Sequence, residues 1–215
     1  MEVTDRYRYL GLVLTEHLDY NITAKSVAQA AHRALGILIA KGRVHGGFPY
    51  SIYTKLYNTL VQPIIDYGSH VWGHKTFAAI QAMQIHALRY FLGLGKRAPL
   101  AALQGDMGWT HQEHHQWLTV TRQWYRLVKM VPSWLSHRVF IWAHDKARLG
   151  KRISYFHVIA FYRQLQMDHV TNVTNGFDFN NIRDDLDMVL KEHFQALWYC
   201  NIIKKVQCMV QVEIN

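Results

Sequence analysis

Three groups of side chains in this sequence have the types that do chemistry: an acidic run, a cluster of histidines and a pair of cysteines. Arg183-Asp184-Asp185-Leu186-Asp187 sets carboxylates side by side, as sites that hold paired metal ions for phosphoryl transfer require. Ile182 and Leu186 stand one helical turn apart in the same stretch, so the run reads instead as the solvated acidic face of a helix. In Thr110-His111-Gln112-Glu113-His114-His115, His111 and His115 can share a helix face, but the order is not H-E-x-x-H and no third ligand is implied. These read as exposed histidines in a first helical turn. Cys200 and Cys208, taken with His193, fit no zinc spacing, and neither has the nearby His and carboxylate that a cysteine nucleophile uses. A P-loop and a dinucleotide fingerprint are both missing from the sequence. The residues therefore offer no catalytic set, no metal ligand set and no cofactor motif.

Binding chemistry is better represented. Arg122, Arg126 and Lys129 recur at i, i+4 and i+7, so a helix there carries them on one face. Arg89 precedes Gly93 and Gly95, and Lys96 with Arg97 follows them, where glycine backbone lets a phosphate approach closely. These six side chains are the candidate nucleic-acid contacts. Residues 1–160 hold 19 Lys/Arg against 8 Asp/Glu, whereas residues 161–215 hold 5 against 7, so the basic excess is confined to the first part. An excess of that kind favours polyanions such as RNA, DNA or an acidic membrane surface. With half its residues hydrophobic and 18% charged, the chain buries a core and is too apolar to be disordered. Its longest apolar stretch, 34–40, is far below the roughly 20 residues that span a bilayer. The polar start lacks the apolar segment of a signal peptide, so the expected setting is intracellular, nuclear or cytoplasmic, with no membrane partner. On that reading the sequons at Asn21 and Asn172 are coincidental.

The elements that would position these residues are mostly helices. Tyr7-Arg8-Tyr9-Leu10-Gly11-Leu12-Val13-Leu14 reads as a strand, or two with a bend at Gly11. Val27, Ala31, Leu35 and Leu38 then mark a helix that Gly42 and Gly46-Gly47 end. A second helix opens near Pro49 and Ser51, carries Ile52, Leu56 and Leu60 on one face, and meets Pro63. A third is expected from about Thr76 to Leu92, and a short fourth from Pro99 to near Gly105. Thr110 with Glu113 makes a capping box for a fifth, lined by Trp117, Val120, Trp124 and Val128. A sixth runs through Leu135, Val139 and Trp142, a seventh lies near Tyr155–Met167, and another follows through Ile182, Leu186, Val189, Leu190 and Leu197. Val206, Cys208, Val210, Val212 and Ile214 alternate, which predicts a C-terminal strand.

Three blocks, in order, resemble a known family. The first is the Tyr7–Leu14 segment with its Tyr9-Leu10-Gly11, followed by Leu18, Ala30, Arg33-Ala34-Leu35 and Leu38. The second runs from Leu56-Tyr57 and Leu60-Val61 through Pro63-Ile64 and Tyr67-Gly68 to Val71-Trp72-Gly73. The third comprises Ile80, Gln84, Ala87-Leu88-Arg89, Leu92-Gly93, Pro99, Ala102-Leu103, Asp106 and Gly108-Trp109. Together they are similar to the segment that follows the polymerase active site in reverse transcriptases of LINE-type (non-LTR) retrotransposons. The likeness covers roughly Tyr7 to Lys129; Asp106 stands where the family pattern has Glu, and nothing after about Gly150 takes part.

The resemblance implies a thumb, the helical unit that holds the primer–template duplex as it leaves the catalytic centre. It also implies that the metal-binding carboxylates belong upstream of the first block, so a catalytic core is expected to be missing and the chain to be no enzyme. The fold expected is mainly α, a thumb-like helical array with a short N-terminal β element and a C-terminal strand. Its expected divisions are a remnant strand segment over 1–20, a helical domain over 21–150 and a helical extension and tail over 151–215. The expected function is a fragment of a reverse transcriptase that binds RNA or DNA backbone without reading sequence. The alternative is a helical interaction or scaffold protein without a nucleic-acid role, meeting a protein partner through the C-terminal tail. Basic side chains gathered on one surface favour the first reading, and dispersed charge with an exposed apolar patch favours the second.

Overall fold

The computed structural model describes residues 5–15, 20–96, 98–151, 154–171, 183–197 and 200, with backbone alone at 101 and 154. The alternating stretch from Val206 to Ile214, and Arg97, lie outside the described residues. The fold is mainly α with a short N-terminal β element, as the sequence leads one to expect. Its residues cluster into two compact units, Met1–Gln112 and Glu113–Asn215, a boundary that falls inside the stretch 21–150.

In the first unit, β1 (Arg6–Tyr9) pairs antiparallel with β2 (Leu12–Thr15), Arg6 opposite Thr15 and Tyr9 opposite Leu12. Leu10 and Gly11 both have positive φ, 46° and 88°, the backbone that a two-residue hairpin turn needs. The hairpin is fixed to the helices that follow: Tyr67 Oη donates to the Leu10 carbonyl, and Thr23 Oγ1 donates to that of Val13 at 2.7 Å. Gly68, at φ 67°, packs so closely under Leu12 that a Cβ would come within 2.8 Å of that side chain. The first and second blocks of the resemblance thus meet.

Helix α1 (Asn21–Val44) buries Ala24, Val27, Ala31, Leu35 and Leu38 along one stripe, against α5 (Ala78–Leu92) and its Ile80, Met83, Ala87 and Leu88. Between them in sequence come α2 (Tyr50–Leu60), α3 (Gln62–Asp66) and the short α4 (Ser69–Trp72), which buries Trp72 completely. On α2 the face differs from that expected. Ile52 and Leu60 are about half exposed, while Tyr53 and Tyr57 are buried. The tyrosines win because they satisfy their polar tips or stack as they bury: Tyr53 Oη donates to Ala87 O at 2.9 Å, and the Tyr57 ring meets Trp109 at 4.3 Å between centroids. Helix α6 (Leu100–Met107) closes the unit, with the Met107 carbonyl accepting from Tyr50 Oη at 2.6 Å.

In the second unit, α7 (Gln112–Val128, its first residue being the last of the first unit), α8 (Leu135–Arg148), α9 (Ser154–Gln164) and a helix over residues 183–197, α10, surround a separate core. Trp117 stacks on Phe161 at 3.7 Å, Trp124 meets Phe140 edge-on, and Leu186 and Leu190 of α10 are fully buried. The Thr121 and Tyr162 hydroxyls hydrogen-bond to each other inside this core. Helix α8 turns its other side inward from the one that marks it in the sequence. Phe140, Ala143, His144 and Ala147 are buried, while Leu135, Val139 and Trp142 face solvent.

Candidate nucleic-acid interface

The basic row of α7 forms as its spacing requires. Trp117, Val120, Thr121, Trp124 and Leu127 take the buried side of the helix. At 100° per residue that leaves Arg122 and Arg126 together on the opposite side, joined by Lys129 one residue past the helix end, whose amide still donates to Tyr125 O at 3.0 Å, and all three are exposed. The three Cα atoms span about 10 Å along the axis at ~1.5 Å per residue. Lys129 Nζ sits 5.7 Å from the centroid of the Tyr125 ring, which steadies it over the next turn without removing it from solvent.

The start of α7 depends on a residue outside the helix. It begins at Gln112, one residue later than a Thr110 cap implies, and the first-turn amide of Gln112 donates to Gln84 Oε1 at 3.2 Å. Gln84 also donates to the Thr110 carbonyl at 2.8 Å. One buried glutamine of α5 thus satisfies backbone on both sides of the turn into α7.

The cluster around the third block divides. Helix α5 ends on Gly93 at φ 66°, with Leu94 N–H bonded to Arg89 O and Gly93 N–H to Tyr90 O, a Schellman arrangement. Arg89 is half-buried, and its Nη2 donates to the Lys96 carbonyl at 2.9 Å. That bond holds the loop to the helix, so Arg89 acts first as a structural clamp. Lys96 is exposed beside it, and Arg97 lies outside the described residues. The structure places Arg122, Arg126 and Lys129 together on one face and Arg89 with Lys96 at one loop; they belong to different compact units.

Sequence reading missed a groove in the first unit. Lys25, Gln29 and His32 of α1 and Met83 and His86 of α5 line an open cavity of about 470 Å³. The His32 and His86 rings lie 5.0 Å apart, and burial together with the neighbouring His32 pushes the His86 imidazole down from its ordinary value. The groove therefore sets the Lys25 ammonium beside two imidazoles. No motif announces it, because its halves sit on helices separated by more than a whole turn-rich segment and meet only by packing.

The histidines at the start of α7 need correction. His114 is not exposed but only 2% accessible, with Nε2 2.8 Å from Asp187 Oδ1 of α10. Asp187 also pairs with Lys191 one turn on. Burial is the main cause that holds His114 below the ordinary imidazole range, with His115 adding to it and Asp187 opposing. Burial alone would raise the Asp187 carboxyl, but the bond to Lys191 and the charges of His114 and Lys191 outweigh it and bring it below the usual value. The acidic run is accordingly split: Asp184 and Asp185 are exposed, and Asp187 ties α10 to α7. Among the described residues no three His, Cys, Asp or Glu side chains are grouped to hold a metal, and no helix is long and apolar enough to cross a membrane.

No family model, curated protein or solved structure matches this chain.

Proposed function

We propose that this chain is a thumb-like piece derived from a LINE-type reverse transcriptase, which holds RNA or DNA by its phosphates and carries no polymerase activity of its own. The observation that carries the reading is the exposed row Arg122, Arg126 and Lys129, set opposite a tightly packed core face. Cations held in a row on a rigid helix suit phosphates, which position a duplex without reporting its sequence. The three blocks of the resemblance add support because they converge on one core: Gly68 under Leu12, and Trp109 on Tyr57. Three phosphate contacts would give a salt slope near −2.7, about a 40-fold loss of affinity between 50 and 200 mM salt.

The test is a salt-titrated binding assay with a fluorescent RNA–DNA primer–template, run beside R122A/R126A/K129A. Steep salt dependence that flattens in the variant is the expected result. Nucleotide incorporation by this chain alone would overturn the claim that it is no polymerase. The second reading, a helical interaction protein, is favoured by a specific observation, the exposed apolar side of α8.

A further inference from the structure

We propose that His32 and His86 bind a divalent transition-metal ion, copper(II) most tightly, across the seam between α1 and α5. The two rings lie 5.0 Å apart between centroids, with their planes inclined at 40°. A metal–imidazole bond of about 2.0–2.1 Å puts the ring centroid about 3.2 Å from the ion. Two rings sharing one ion at about 90–110° then have centroids about 4.5–5.2 Å apart, a range that includes the observed spacing. The scaffold holds that spacing by itself. His32 follows the fully buried Ala31 on α1, and His86 precedes the fully buried Ala87 on α5, so both rings stand at the rim of a packed seam. Neither ring is hydrogen-bonded among the described residues, which leaves their nitrogens open to an ion. Burial, with His32 adding to it, keeps protons off His86, and metals bind the neutral imidazole.

The donor set selects the ion. Besides the two imidazoles, the groove is lined by Lys25, Gln29, Met83 and alanines, with no carboxylate among them. Calcium and magnesium, which take several oxygen ligands, are poorly served there. Imidazole suits copper, nickel and zinc, and at a nitrogen site the affinity of divalent ions peaks at copper(II). Two protein ligands leave the remaining positions to water, for which the open groove of about 470 Å³ has room. An anion is the poorer occupant. Lys25 is the one lysine or arginine in that lining, and it stands two helical turns before His32.

The site lies wholly within the first unit and is independent of the nucleic-acid reading. Its test is calorimetric titration of copper(II), nickel(II) and magnesium(II) into the full chain, beside H32A, H86A and H32A/H86A. H111A/H115A is carried as well, because that pair stands at i, i+4 on one stretch of chain. The native chain should show a site that takes copper(II) more tightly than nickel(II) and leaves magnesium(II) unbound. Either single variant should weaken that site at least tenfold. The double variant should lose no more than either single one, because a lone imidazole does not chelate. H111A/H115A should leave the site in place. Nickel(II) should also raise the denaturation midpoint of the native chain and fail to raise that of H86A by the same amount. Circular dichroism separates a lost ligand from lost folding, and these exposed positions should leave the spectrum intact. Copper affinity unchanged in both single variants overturns the proposal, as does a site that only H111A/H115A removes. So do losses that add in the double variant, which would mean two independent imidazoles, or magnesium(II) binding equal to that of copper(II).

Discussion

Helices α7 and α8 belong to the same unit and share its core, yet they treat their outer sides in opposite ways. α7 is apolar inside and basic outside; α8 is apolar inside and apolar outside. Trp124 of the first and Phe140 of the second meet edge-on at 5.0 Å, so inwardly the two do the same job. Outwardly, Arg122, Arg126 and Lys129 can be left in water at little cost, whereas Leu135, Val139 and Trp142 leave apolar area unburied. The contrast separates two kinds of surface that composition alone merges, one charged and one apolar.

The comparison is most sharply broken from inside. Phe140→Ala should cost about 3–5 kcal/mol, since it empties a fully buried site between Trp124 and Tyr155; chemical denaturation would report it. Trp142→Ala, two residues on, removes a larger side chain but should change stability by less than about 0.5 kcal/mol, because its site is mostly solvent. If both cost alike, α8 is packed on a different face from the one described. Next in size is R122A/R126A/K129A, whose primer–template affinity deficit relative to the native chain should be about 40-fold larger at 50 mM than at 200 mM salt, with the denaturation midpoint unchanged within error.

Acid should weaken the folded chain. His114, His86 and His193 all have imidazoles held below their ordinary value, chiefly by burial. The unfolded chain therefore takes up protons as pH falls below about 6.5 while the folded chain does not, and stability declines through the window below it. Asp187, held low by its partners, keeps its contribution above about pH 4 and loses it only below. Denaturation midpoints measured from pH 7.5 to 5 should fall, and His114→Gln should flatten that slope more than it changes the value at pH 7.5. A slope unaffected by the substitution would remove His114 from the account.

Much of this was legible in the sequence, and the exceptions have one cause. The stripe Val27, Ala31, Leu35 and Leu38, the Gly93 helix end and the basic row of α7 follow from local periodicity and local chemistry, so one stretch of chain is enough to read them. On α2 and α8 two apolar stripes compete within one helix, and periodicity cannot rank them. Tyr53 prevails over Ile52 because its hydroxyl finds Ala87 O, and Phe140 prevails over Val139 because Trp124 and Tyr155 flank it. Those partners are distant in sequence. The burial of His114 beside Asp187 and the groove between His32 and His86 are missed for the same reason. In the sequence Arg89 stands as a candidate phosphate contact beside the glycine loop of the third block, and its bond to Lys96 O exists only once that loop is folded.

The measurement that tests the central claim most directly is the salt dependence of primer–template binding by the full chain and by R122A/R126A/K129A. The account predicts a slope near −2.7 for the native chain, which drops towards zero in the variant. Binding that is absent at low salt, or that keeps the same slope in both proteins, would contradict it.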